Sequence, residues 1–164
     1  MIAAVAQLRA THPDLHLVAV GSGDDLPRLR ALAAGLGVSD AIHFLENLSR
    51  CEIAACYARA DVFALPSTAE GFGLVFLEAL AFSKPVIGAA AGGTGDVIED
   101  GVNGLLVPPN DPQCLAQALD RLLRDDVLCA ELGRRGAEMV RRKFQFGAFQ
   151  VELERILSDC GLDE

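Results

Sequence analysis

Apolar residues gather along this chain in two kinds of stretch, separated by short polar or glycine-containing links. Helix-like segments occupy Ile2–Thr11, Asp24–Gly35, Ser49–Ala60, Gly73–Ser83, Asp111–Arg124 and Asp126–Lys143, and a last amphipathic piece runs from Phe146 to Leu157. Between them lie short apolar runs at Leu15–Gly21, Ile42–Leu45, Val62–Pro66, Pro85–Ala89 and Leu105–Pro108. These runs do not alternate with polar residues, the pattern of strands in a parallel sheet covered on both faces. Boundary chemistry agrees with the division. Ser49 and Glu52 have capping-box spacing, and Asp111 followed by Pro112 pairs a cap with a first-turn proline. No repeat, low-complexity run or linker interrupts the alternation. Residues 1–164 therefore read as a single α/β domain, a doubly wound parallel sheet of about five strands.

Composition narrows the partners. Apolar residues make up 51% of the chain, with no Trp and one Tyr, so the core is aliphatic. A net charge of −9 argues against nucleic acid or an anionic membrane as the main partner. No basic stretch precedes an apolar signal core, and no apolar run approaches the ~20 residues of a membrane span. The cysteines, Cys51, Cys56, Cys114, Cys129 and Cys160, are odd in number and lack CxxC or metal-like spacing. The expectation is a reduced, cytoplasmic setting with no metal site.

In an open parallel sheet, ligands bind outside the carboxyl ends of the strands. Those ends carry Gly21-Ser22-Gly23, Glu46-Asn47, Ser67-Thr68 and Ala90–Gly95. Glycines at strand-to-helix turns are ordinary, but the bare pair Gly92-Gly93 before Thr94 weakens a fold unless something needs the room. The segment Ala69–Ala79 (AEGFGLVFLEA) is the most informative. It follows a strand and sets Glu70 and Glu78 on either side of a glycine-flanked Phe72. If the helix begins at Gly71, Glu78 lies on nearly the same face roughly 10 Å down the axis. A helix N-terminus suits a phosphate, and a carboxylate nearby suits sugar hydroxyls. A nucleotide sugar needs both.

The run PSTAEGFGLVFLEALAFSKPVIGAAAGGTGDVIEDGVNGLLVPPND resembles the signature of retaining nucleotide-sugar glycosyltransferases of the group 1 family. With ADVFALPS and LHLVAVGSGDD, the likeness covers Ala3 to Phe146. It implies the donor-binding, Rossmann-like half of a two-domain GT-B fold. It further implies a nucleoside diphosphate sugar as substrate, without metal or other cofactor. On the matching positions, Glu70 would face the transferred sugar at the reacting carbon. The backbone of Phe72, Gly73 and Leu74 would contact sugar hydroxyls and diphosphate, and Glu78 would hold the ribose. Phe44 to Asn47, with Glu46 and Asn47, would lie against the base, and the glycine turns at Gly21 and before Thr94 would complete the site.

The chain departs from the family pattern at Glu46, where glycine is usual, and at Ser83, Asp96 and Phe146. The resemblance also implies a preceding acceptor domain, a first strand and a loop with an Arg and a Lys for the diphosphate. Here the likeness starts inside the helix after that loop, and Arg28, Arg30 and Arg50 do not stand at the loop's positions. The expectation is an N-terminally truncated donor half, a weak binder that is inactive alone. In the family order 3-2-1-4-5-6 the first strand is central. Its loss predicts closure by pairing Leu15–Gly21 with Val62–Pro66, giving the flavodoxin-like order 2-1-3-4-5, or a homodimer formed by strand or helix exchange. The other readings are a non-catalytic nucleotide-binding or self-associating module, and a fragment of a glycogen-synthase-like polymerase. The spacing of Glu70 and Glu78 disfavours an epimerase, and the loop tips lack the aromatic pair that a flavin needs.

Overall fold

Helices and strands alternate as the pattern predicts across residues 1–144, the part of the chain described in the structure, a computed structural model. In order they are α1 (Ile2–Leu8), β1 (Leu17–Val20), α2 (Leu26–Gly35), a 3-10 turn (Ser39–Ala41), β2 (Ile42–Leu45), α3 (Arg50–Arg59) and β3 (Phe63–Leu65). The second half holds α4 (Leu74–Ala81), β4 (Val86–Ala89), α5 (Thr94–Val97), β5 (Gly104–Val107), α6 (Pro112–Arg124) and α7 (Asp126–Lys143). The bounds of β2 and α7 are those expected, and most other elements are trimmed at their ends. The 3-10 turn and α5 were not expected, because a single turn is too short to display a period. Ser49 and Glu52 form the capping box reciprocally, and the Asp111 carboxylate accepts from the N–H groups of Gln113 and Cys114. The helix expected over Phe146–Leu157 lies outside the described residues, as does Cys160.

The strands are all parallel, but they form two sheets, β1–β2 and β3–β4–β5, not one of five strands. Pairing of β1 with β3 is not made, so the expected closure to the order 2-1-3-4-5 is corrected. Exchange between copies is a property of an assembly rather than of one chain. Cover on both faces holds for β4, buried at all four positions, but not for β1. Val18 and Val20 are 47% and 46% exposed, on the same face as their register partners His43 and Leu45.

What joins the sheets is α1. Its sequence IAAVAQL places apolar side chains on two faces. Ala4 and Leu8, one turn apart, belong to the core that includes Ile87 of β4, Leu105 and Val107 of β5, and Leu115, Leu119 and Leu122 of α6. Ile2 and Val5 belong to a second core with Ala33 of α2, Val38 just before the 3-10 turn, and Ile42 of β2. Polar contacts pin the end of the helix to both sides. Arg9 donates to Asp40 at 2.6 Å, in the turn before β2, and to the carbonyl of Pro13. His12 lies 2.7 Å from Asp120 of α6, which also accepts from Arg124 at 2.8 Å. With a helix packed against both sheets, side-chain burial holds them in place and no backbone ladder between β1 and β3 is needed.

The third core forms around α4, where Phe76, Ala79 and Leu80 pack on Val86, Val97 and Ile98. Two glycines of α7 let that helix come close. A Cβ at Gly136 would lie 2.2 Å from Leu80 Cδ2, and one at Gly133 would lie 2.0 Å from the Ser83 carbonyl oxygen.

Replacing Leu8 with Ala should destabilise the chain by about 2–5 kcal/mol, the range for a buried leucine leaving a cavity. A loss below about 1 kcal/mol in chemical denaturation would show that α1 does not hold the seam. The bond to His12, with a further contribution from Arg124, keeps the Asp120 carboxyl below its usual range. A depressed carboxylate stabilises the fold above its unfolded value of about 3.9 and loses that contribution as pH falls through the folded value. The variant D120N should therefore be less stable near neutrality and should lose less stability between neutral and strongly acidic pH. Parallel acid-denaturation curves for the two proteins would contradict this.

Candidate functional site

The turn between β3 and α4 is built around one residue that only glycine suits. Gly73 caps α4 in the left-handed region (φ 78°, ψ 49°), and a Cβ there would lie 2.6 Å from Phe76 Cδ2 and 3.3 Å from Glu70 Cγ. The helix therefore starts at Leu74, one residue after the expected Gly73 and three after the Gly71 start on which the roughly 10 Å spacing of Glu78 depended. Glu78 stands one turn into α4, roughly 6 Å along the axis from its first residue, not two turns. No side chain caps α4; the Phe76 N–H donates to the Gly73 carbonyl at 2.9 Å, and the N–H groups of Leu74 and Val75, with the positive end of the dipole, remain available at the turn.

The glycine pair in the β4–α5 loop explains how that turn is held. The Gly93 N–H donates to the Glu70 carbonyl at 3.0 Å. A Cβ at Gly93 would lie 1.8 Å from the Gly71 carbonyl oxygen, and one at Gly92 (φ 58°) would lie 2.4 Å from the Glu70 carbonyl oxygen. The room that the two bare residues provide is filled by the backbone of the Glu70–Gly71 turn. Within it Glu70 is half-buried, while Phe72 and Leu74 are exposed. Phe72 meets the Phe144 ring edge-on at 5.9 Å. Thr94 is fully buried, its methyl against β4 where a Cβ at Gly88 would lie 2.5 Å away. The Thr94 hydroxyl has no partner among the described residues.

Glu78 has a partner that the sequence reading missed. The Tyr57 hydroxyl, on α3, donates to its carboxylate at 2.8 Å. The phenol ring stacks on Phe82 (5.7 Å, 21°) and tilts against Phe63 (5.7 Å, 50°). Burial, and then the neighbouring carboxylate, push the Tyr57 phenol well above its ordinary value, so it stays a protonated donor. The signal available in the sequence was that the chain's one tyrosine sits in the helix before the strand leading to Glu70.

The remaining predicted residues lie at the ends of the other sheet. Gly21 extends the β1–β2 ladder, its N–H donating to the Leu45 carbonyl at 3.0 Å. Beside it is a cavity of about 250 Å³ lined by Val20, Gly21, Ser22, Gly23, Leu29 and Phe44. The Arg30 guanidinium lies over the Phe44 ring at 5.2 Å, and Arg28 is engaged by Asp25 at 2.5 Å. Glu46 and Asn47 are exposed and do not line this cavity. Thus Glu70, Phe72, Gly73, Leu74, Glu78 and Thr94 group on one sheet, and Gly21, Glu46 and Asn47 on the other. A larger cavity of about 410 Å³ lies among Asp61, Ser83, Lys84 and Cys129, at the opposite, amino ends of β3 and β4.

Known proteins resemble this chain in sequence and in fold. The family model described as "Glycosyl transferases group 1" matches residues 1–139. A D-inositol 3-phosphate glycosyltransferase of Stackebrandtia nassauensis is 44% identical over 134 residues, covering 76% of this chain and 30% of that protein. The chain thus spans about a third of the length of such curated relatives. Among solved structures, Anabaena HepE in complex with UDP-glucose superposes with a TM-score of 0.85 at 29% identity, covering 96% of this chain and 44% of HepE. The C-terminal domain of the group 1 glycosyltransferase LpcC of Francisella tularensis gives 0.81 at 31% identity, covering 88% of this chain and 77% of that one.

Gly93→Ala should displace the Glu70–Gly73 turn and cost about 1–3 kcal/mol, because the obstacle is backbone and cannot rotate away. Gly95→Ala, where a Cβ meets nothing within 4 Å, is the control and should be neutral or slightly stabilising within a helix. Amide chemical shifts of residues 70–73 should move in the first variant only. Equal stability and shifts in both would refute the clasp.

Proposed function

Since this chain belongs to the group 1 glycosyltransferase family, we propose that it is the donor-binding part of a retaining enzyme that moves a sugar from a nucleoside diphosphate to a hydroxyl acceptor. One observation carries the reading: the Glu70–Gly73 turn, clasped from behind by Gly92 and Gly93, presents an uncapped helix end next to two carboxylates. The diphosphate lies against the N–H groups at the start of α4, where the dipole favours negative charge. Glu70 orients the transferred sugar, Glu78 accepts from the ribose hydroxyls, and the base lies beside Phe44 to Asn47, near Gly21. Thr94 stands behind the phosphate-side loop. HepE, whose structure holds UDP-glucose, supports the substrate class.

Glu70 acts by orienting and not by attack, so the acceptor hydroxyl approaches the sugar carbon from the face that the diphosphate leaves. The acceptor oxygen forms the new bond as the carbon–phosphate-oxygen bond breaks, and the departing phosphate takes the proton. Helix N–H groups stabilise the charge that develops on it. No resident metal or cofactor enters this scheme. Donor binding is the share of the activity assigned to this chain; turnover belongs to a longer assembly that supplies the acceptor site and the cations for the diphosphate. A cytoplasmic setting is consistent with the free thiols of Cys51, Cys56, Cys114 and Cys129. Among the described residues no helix is long and apolar enough to cross a membrane.

The test is a thermal titration of the chain with UDP, GDP and ADP and their sugars. A specific ligand at a hundred times its Kd adds about 2.7 kcal/mol of stability by mass action. One diphosphate should raise the melting temperature where its nucleoside does not, and transfer to simple acceptors should be absent. No stabilisation by any of the nucleotides would overturn donor binding, and reproducible transfer by the chain alone would overturn the division of labour.

A further inference from the structure

We infer that Tyr57 is a positioning residue for Glu78: its hydroxyl holds one carboxylate oxygen so that the other meets the ribose. This rests on the reading that Glu78 binds ribose hydroxyls. A free glutamate at an exposed helix position samples many rotamers, and ordering such a side chain on binding costs conformational entropy. Here the Tyr57 hydroxyl takes one lone pair of Glu78 Oε2 at 2.8 Å. The other oxygen, Oε1, keeps its full accepting capacity for a ligand hydroxyl.

The donor itself is held. Its ring stacks on Phe82 and leans on Phe63, the first residue of β3, so its direction is set by packing. The raised phenol value means that the proton to be donated is present throughout the neutral range. Without Tyr57, nothing else from the described residues bonds to the Glu78 side chain. The contact also ties α3 to α4, and α3 buries no residue of its own. A merely structural contact between two helices is the competing account, and the ribose dependence of binding separates the two.

Tyr57 is the chain's only tyrosine and there is no tryptophan, so the chain's tyrosine emission comes from this site alone. The experiment compares the full chain, Y57F and E78Q. Each is titrated with the nucleoside diphosphate selected by the thermal screen and with its 2′,3′-dideoxy counterpart. Y57F keeps the ring and its stacking and removes only the hydroxyl. Its affinity for the ribonucleotide should fall about five- to tenfold, the worth of one hydrogen bond. Affinity for the dideoxy compound should stay unchanged, so the ratio between the two should shrink. In E78Q the ratio should approach one, and Tyr57 emission without ligand should rise as the quenching carboxylate is lost. If Y57F keeps the full ratio while E78Q abolishes it, positioning is refuted and the Glu78 reading stands. If E78Q keeps the ratio, or the unaltered chain shows none, the Glu78 reading fails and this inference with it. Unchanged emission in E78Q would show that the bond is not formed, and would overturn the inference regardless of nucleotide binding.

Discussion

Everything in this molecule is arranged around a helix of seven residues that is apolar on both sides. Strand pairing normally carries continuity across a parallel sheet, because each ladder satisfies backbone groups while faces are covered by helices. Here the ladders stop at β1 on one side and β3 on the other. Continuity passes instead through α1, with Ala4 and Leu8 in one core and Ile2 and Val5 in another. Arg9 and His12 extend the connection to Asp40 and Asp120. The relative placement of the loops at the carboxyl ends therefore rests on side-chain packing, which is less directional than a hydrogen-bonded ladder.

Within the sheet of β3–β5 the site is set by backbone contacts. Gly93 and Gly92 approach the carbonyls of Glu70 and Gly71 more closely than any side chain permits. The left-handed Gly73 ends that turn and starts α4 at Leu74, with no side chain capping the helix. A turn held by main chain is stiff, and stiffness is what a site needs when it binds through N–H groups rather than through mobile cations. The protein's charge of −9 makes such local dipoles the more important, since the overall field does not favour an anion.

The two carboxylates differ in support. Glu70 is half-buried in the clasped turn, with its side chain against Gly73. Glu78 is on an exposed helical surface and takes its order from an aromatic group, Tyr57 with Phe82 and Phe63. One acid is set by the backbone around it and the other by a neighbour's hydroxyl. These two supports come from different elements, and they converge only when α3, α4 and the β4–α5 loop are packed on the same sheet.

Most elements were legible because each depends on neighbours in sequence. The apolar runs at β2 and β4, the capping box at Ser49 and Glu52 and the Asp111 cap are local chemistry, and the alternation of strands and helices implies parallel pairing. The cluster from Glu70 to Glu78 was legible for the same reason, since it lies within one turn and one helix. What the sequence could not decide was every relation between distant segments. It could not place Gly93 against Gly71, give Glu78 a partner 21 residues away, or leave β1 unpaired with β3. Those outcomes follow from how side chains fill the space between elements, and the free energy of that packing belongs to the assembled chain and not to any stretch of it.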